Sequence, residues 1–238
     1  METKIMGSIY FNGAAMGPGF NCKGSSDISF GDAAPKKELQ WVDVGNRLVA
    51  DRCVCIGISW TTLNRLGFIF GHPVRIQGKY YLCRSLQMGS RESEAKKSEW
   101  GRLLKQTEHG DHLWHWKGTR FWGQDTAADN QRMRVVQGYY GAGAWGVKDK
   151  ATEGWMVGFR PVLEPLAGIP EDLDTLVSKE IRVYGPDKGP FVGRLKSIDD
   201  YDLVLSVTGP VPRSCRWATK KGNIVTIGRN SVVWIGEI

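Results

Sequence analysis

The chain has 238 residues, a formal net charge of +7, 41% hydrophobic residues and 24% charged residues, which is ordinary for a soluble globular protein. Its 30 glycines and 10 tryptophans favour loop-rich structure with aromatic packing over a helix bundle. No apolar run is long enough to span a membrane, the start lacks the pattern of a signal peptide, and five scattered cysteines fit a reducing cytoplasm better than a disulfide framework. The positive charge allows an anionic partner such as a nucleotide or nucleic acid without requiring one.

Residues 1–40 are rich in glycine, serine and alanine, and they predict short N-terminal strands and loops. The strongest helical pattern lies between Ser90 and Thr107. There Trp100, Leu103 and Leu104 form an i, i+3, i+4 face, which is typical of an amphipathic helix.

From Gly110 to Leu163, glycines and tryptophans recur without a helical period. This composition predicts irregular backbone that is held by aromatic packing. Pro161 and Pro165 then bracket a strand-like run, and we expect them to close a first domain, residues 1–166.

Residues 167–178 predict a linker that leads into a short helix. Residues 179–238 consist of short strand-like runs that are separated by turn residues, which indicates a small, strongly bent β-barrel. With helices and loops in the first domain and a barrel in the second, the predicted fold class is α+β.

The C-terminal region resembles the Sm-like (LSm) family over about sixty residues. The stretch "IRVYGPDKGPFVGRLKSIDDYDLVL" is similar to the first motif of that family, and Gly193 stands where the second strand bends. The stretch "IVTIGRNSVVWI" is similar to the second motif. The resemblance implies an SH3-type small barrel that assembles a homo-oligomeric ring.

The same resemblance implies an RNA site, because two loops of Sm-like rings bind uridine-rich RNA at the pore. Its candidate residues here are Arg229, Asn230 and Tyr201. The asparagine of the family falls at Asp202, whose carboxylate repels phosphate. We therefore expect ring formation to carry over more readily than RNA binding.

The first domain resembles the C-type-lectin-like fold over residues 40 to 166. The stretches "LWHWKGTRFWGQD", "QRMRVVQGYYGAGAW" and "EGWMVGFRPVLEPL" carry this resemblance, and "GFRPVL" is its most specific part. The similar branch contains formylglycine-generating enzymes and the variable proteins of diversity-generating retroelements. It implies a bacterial or phage protein that displays recognition loops.

The resemblance matches two strands, residues 134–138 and 158–162. The region around the loop between them supplies the candidate ligand-binding residues. Tyr139, Tyr140 and Trp145 offer rigid stacking surfaces, while Lys148 and Arg132 offer positive charge. The alternative is that some of these aromatic side chains belong to the core.

Enzymatic activity is not expected. Enzymes of the similar branch use cysteines late in the domain, whereas here Cys83 is the last cysteine before Cys215. Without a thiolate at that place, the domain lacks the nucleophile or soft metal ligand that such chemistry needs.

A metal site is not expected either. His109, Asp111, His112 and His115 lie close together in the sequence, but Gly110 interrupts the helix that would align them. We predict no metal and no cofactor.

Together these patterns predict a non-enzymatic cytoplasmic binding protein that forms a homo-oligomer through its Sm-like barrel. Its lectin-like loops would bind a protein or an anionic small molecule such as a nucleotide. Phage–host interaction is one process that such binding would serve. The alternatives are an RNA-binding Sm-like ring protein and an enzyme of unknown chemistry.

Overall fold

The computed structural model describes residues 2–24, 27–107, 110–166, 169–170, 172–186, 190–207 and 215–238. The chain divides into two compact units, Met1–Pro165 (the N-terminal unit) and Leu166–Ile238 (the C-terminal unit). Strands make up 45% of the structure and helices 13%. The predicted α+β class is therefore wrong, and the protein is mainly β.

Three β-sheets build the N-terminal unit. Its strands are β1 (Thr3–Ile5), β2 (Ser8–Phe11), β3 (Ala14–Met16), β4 (Phe20–Asn21), β5 (Ile28–Gly31), β6 (Gln40–Asp43), β7 (Leu48–Ala50), β8 (Cys55–Ile56), β9 (His72–Ile76), β10 (Lys79–Arg84), β11 (Arg120–Ala127), β12 (Asn130–Gly138), β13 (Trp145–Asp149), β14 (Val157–Phe159) and β15 (Val162–Pro165). Two six-stranded sheets have the orders β1-β6-β7-β15-β10-β9 and β13-β12-β11-β14-β8-β4, and a three-stranded sheet has the order β3-β2-β5. Pairing is antiparallel except between β11 and β14 and between β4 and β8.

Four short α-helices lie within the described ranges, namely α1 (Trp60–Arg65), α2 (Glu92–Ala95), α3 (Glu99–Gln106) and α4 (Asp111–Trp114). The single helix predicted from Ser90 to Thr107 is divided between α2 and α3, because Ser98 caps α3 by accepting a hydrogen bond from the Gly101 amide. None of the helices in these ranges has the length and apolar character that a membrane crossing requires.

The stretch predicted to be irregular forms strands β11 to β13, and this is the main reason for the error in fold class. The sheet lies between two cores. Phe121 and Val135 pack in one hydrophobic cluster, whereas Trp122 and Val136 pack in the other. Strands that are buried on both faces show no simple alternation of apolar and polar residues, so the period-2 signal is weak.

The "GFRPVL" segment contributes β14, β15 and a fully buried arginine to the core. The Arg160 guanidinium lies 4.4 Å from the centre of the Phe121 ring, and its Nη2 donates to the backbone carbonyl of Trp114. Burial lowers the pKa of Arg160 to about 10. The arginine of this motif is therefore a packing residue.

Within its described residues, the C-terminal unit forms one six-stranded sheet. Its strands are β16 (Glu180–Tyr184), β17 (Phe191–Ile198), β18 (Asp202–Val207), β19 (Ala218–Lys221), β20 (Ile224–Gly228) and β21 (Trp234–Glu237). Their order is β19-β20-β18-β17-β16-β21, with 3₁₀ turns at Asp174–Leu176 and Arg229–Ser231. At Gly193 in β17, a Cβ would collide with the backbone of Ser206, so the close approach of β17 to β18 requires glycine there.

Candidate functional site

A cavity of about 340 Å³ opens beside the turn that joins β12 to β13. We call it the Arg120 cavity. Its lining consists of two cations, two tyrosines and two apolar residues: Arg120, Tyr139, Tyr140, Val147, Lys148 and Met156. Three of the five predicted ligand-binding residues, Tyr139, Tyr140 and Lys148, therefore line one cavity.

The backbone holds Arg120 firmly at the start of β11. Its amide donates to the Met156 carbonyl at 2.8 Å, and it pairs with Gly138 on one side and Val157 on the other. The guanidinium extends to β13, where a Cβ on Gly146 would collide with Nη1. The absence of a side chain at Gly146 makes room for the Arg120 side chain.

The two tyrosines form a compact aromatic pair at the rim of the cavity. Their ring centres lie 4.6 Å apart in an edge-to-face arrangement, and Tyr140 is 77% exposed. Tyr139 has a φ of 78°, in the left-handed region that favours glycine. Such backbone costs about 1–3 kcal/mol and often occurs at functional sites.

Positive charge in the cavity has no protein counter-ion in the part of the chain that the structure describes. No carboxylate lines the cavity, and no ion pair forms with Arg120 or Lys148 among those residues. The Arg120 guanidinium carbon lies 6.0 Å from the centre of the Tyr140 ring. An anion that enters the cavity would therefore meet two cations without displacing a carboxylate.

The other two predicted ligand-binding residues lie outside the cavity lining. Trp145 is half-buried and packs against the core cluster that contains Phe121 and Val135. It donates from Nε1 to the Gly89 carbonyl at 3.2 Å. Arg132 forms an exposed ion pair with Asp149 at 3.1 Å. Their roles in binding remain predictions.

Arg120, Val147 and Met156 line the cavity but are not among the predicted ligand-binding residues. Arg120 and Met156 lie outside the glycine- and aromatic-rich loop that supplies the predicted residues, and Val147 is an apolar residue within it. No local pattern joins Arg120 to Gly146 in the sequence, and only the sheet shows that these two positions meet.

The candidate RNA residues of the C-terminal unit lie together at two adjoining turns. The Arg229 amide donates to the Tyr201 carbonyl at 2.7 Å, and Arg229 Nη1 donates to the Asp199 carbonyl at 2.8 Å. A cavity of about 350 Å³ at these turns is lined by Ile169, Leu173, Asp200, Leu203, Arg229, Asn230, Val232 and Ile235. The neighbouring Asp199 and Asp200 carboxylates add negative charge to this region.

Three of the four residues named for metal binding, Asp111, His112 and His115, lie in the described part of the chain. His109 lies outside the described residues. Asp111 accepts a hydrogen bond from the Lys117 amide, and His115 Nδ1 lies 3.2 Å from the buried Asp51 carboxylate. In the ranges that the structure covers, no group of three or more histidine, cysteine or acidic residues has an arrangement that could hold a metal ion.

No family model matches this chain, and comparisons with curated proteins and with solved structures also give no match.

Proposed function

We propose that the protein is a non-enzymatic, cytoplasmic binding protein that oligomerises through an Sm-like C-terminal barrel. Its N-terminal unit would bind an anionic small molecule or a protein at lectin-like loops, in a bacterial or phage setting. The observation that carries the binding proposal is the Arg120 cavity, in which two cations and two tyrosines meet without a carboxylate.

Burial of the thiols supports a non-enzymatic role. Cys22, Cys53, Cys55 and Cys83 are all buried. Burial raises the pKa of Cys53 to about 11 and holds that of Cys83 well above its usual range. Because the thiolate is the nucleophile, these groups are poorly suited to covalent catalysis near neutral pH.

Native mass spectrometry of protein purified from its own host tests the proposal as a whole. We expect a multiple of the 26.5 kDa chain mass, together with a retained anionic ligand. Lys148→Gln should lose the ligand and keep the assembly, whereas the exposed Arg75→Gln should keep both. A monomer that carries no ligand would contradict the proposal.

An RNA-binding ring is the second candidate, and it is favoured by the meeting of Tyr201, Arg229 and Asn230 at adjoining turns. The acidic residues at the same turns oppose it, since carboxylates repel phosphate. We expect a uridine-rich oligonucleotide to bind weakly to the wild type and more tightly to Asp202→Asn. Tight, salt-sensitive binding by the wild type that Arg229→Ala abolishes would establish the second candidate instead.

A further inference from the structure

We infer that the Arg120 cavity binds a nucleoside monophosphate, with the phosphate at Arg120 and Lys148 and the base against the Tyr140 ring. This inference rests on the proposed function, because it names the ligand class of the same cavity. It is carried by three features: the charge of the lining, its aromatic rim, and the engagement of the neighbouring Arg132 and Arg134 with other groups.

The charge of the lining suits one compact anionic group. Arg120 supplies a planar, multi-donor guanidinium that matches a phosphate, and Lys148 supplies a second, point-like charge. Arg120 is held at its backbone by β12 and β14, and Gly146 leaves room for its side chain. The cation is therefore positioned before a ligand arrives, which reduces the entropy lost on binding.

The rim suits a planar ring next to that group. Tyr140 is 77% exposed and is held edge-to-face by Tyr139, so one ring remains available for stacking. Val147 and Met156 add apolar surface to the lining. The volume of about 340 Å³ is at the small end of the range of about 300–1,000 Å³ for small-molecule sites, as a single nucleotide requires.

The surrounding cations argue against a polymer of nucleotides. Arg132 is paired with Asp149, and Arg134 donates from Nη1 to backbone carbonyls while its guanidinium lies 4.3 Å from the Trp60 ring centre. Proteins that bind single-stranded nucleic acid use a basic groove that follows the backbone over several phosphates. Here Arg132 and Arg134 are already engaged, which leaves Arg120 and Lys148 as the two cations of the lining and suits one phosphate group.

Isothermal titration calorimetry of the full-length protein tests the inference, with AMP, GMP, CMP and UMP as probes and with adenosine, inorganic phosphate and a mixed-sequence RNA oligomer for comparison. We expect at least one monophosphate to bind more tightly than its separate parts. Arg120→Gln and Lys148→Gln should each weaken that binding about tenfold, because each removes one charge-assisted contact. Tyr140→Leu should weaken it about fivefold through loss of stacking, and should leave binding of inorganic phosphate unchanged.

Matched controls are Arg75→Gln and Tyr80→Leu, which alter exposed side chains of β9 and β10 and should not change binding. Thermal melting of each variant shows that the fold is kept. The inference is overturned if no monophosphate binds, or if adenosine binds as tightly as AMP. It is also overturned if the RNA oligomer binds this cavity more tightly than the monophosphates do, or if neither Arg120→Gln nor Lys148→Gln changes the affinity. If native mass spectrometry of the same protein then reveals a different anion or a bound protein, the proposed function stands without the nucleotide.

Discussion

At the scale of single residues, burial decides which cysteine can react. The four cysteines of the N-terminal unit are buried, whereas Cys215 in the C-terminal unit is half-buried, and none of the five is in a disulfide. Burial raises the pKa of Cys53 to about 11, and the nearby Arg160 only partly opposes this. The Cys53 thiol is therefore almost wholly protonated at pH 8.

Titration with a thiol-reactive aromatic disulfide checks this difference. At pH 8 we expect one thiol per chain, Cys215, to react within minutes in the native protein, and all five to react after unfolding. Cys215→Ser should remove the native reaction and leave four thiols in denaturant. Rapid reaction of a second thiol in the native protein would show that a buried cysteine is activated, and would support the alternative that the protein is an enzyme.

At the scale of secondary-structure elements, Glu99 joins α3 to its surroundings. Its carboxylate accepts two hydrogen bonds from Arg84 of β10, at 2.8 and 2.7 Å, one from the Gln87 amide at 2.9 Å, and one from Arg47. Burial on its own would raise the pKa of Glu99, but the hydrogen bonds and charge of Arg84 outweigh it and hold the pKa below 4.5. The ionised form is thus preferred in the folded protein.

Glu99→Gln should lower the free energy of unfolding by about 1–3 kcal/mol at pH 7, since it neutralises the buried carboxylate that Arg84 and Arg47 share, while Arg84 keeps its second ion pair, with Glu164. Because the pKa of Glu99 is lower in the folded than in the unfolded state, this stabilisation is present above about pH 4.5. It is lost as the pH falls through the folded-state pKa. Urea denaturation should show that the difference in free energy of unfolding between wild type and variant becomes smaller as the pH is lowered from 7. The exposed Glu92→Gln is the control, and a gap independent of pH would contradict the role of the charge.

How far the sequence predicts these elements depends on how each one is buried. Trp100, Leu103 and Leu104 were predicted to share a buried face, and they are buried, because a surface helix shows its period plainly. Periodicity did not predict β11 or the second half of β12, since residues of both faces are buried there, at Phe121, Trp122, Val135 and Val136. In the same way, Tyr139, Tyr140 and Lys148 could be found in one local stretch, whereas Arg120 joins them only through the sheet.

At the scale of the whole molecule, the two edge strands of the C-terminal sheet are candidates for contacts between copies of the chain. In the described strand order, β19 and β21 are outermost, and an uncovered edge strand offers its backbone groups to another chain. β19 carries the exposed Lys220 and Lys221, and β21 ends at the exposed Glu237. Pairing β19 of one copy with β21 of the next would bring Lys220 and Lys221 near Glu237, whose carboxylate also accepts from Lys179 of its own chain at 2.7 Å. Such head-to-tail contacts close into rings when the rotation allows.

Sedimentation of the full chain at micromolar concentration should therefore show a species well above 26.5 kDa. Residues 1–165 alone should be a folded monomer, because that unit has its own two core clusters and lacks the β19 and β21 edges.

Replacing both Lys220 and Lys221 by glutamate should weaken assembly at least about fivefold, since like charges would then face each other across the contact. Lys196→Glu, on the central strand β17, makes half of that charge change away from the edges and should have little effect. A full chain that sediments only as a monomer would refute assembly through this unit, and equal weakening by Lys196→Glu would show that net charge rather than the edge contact controls it.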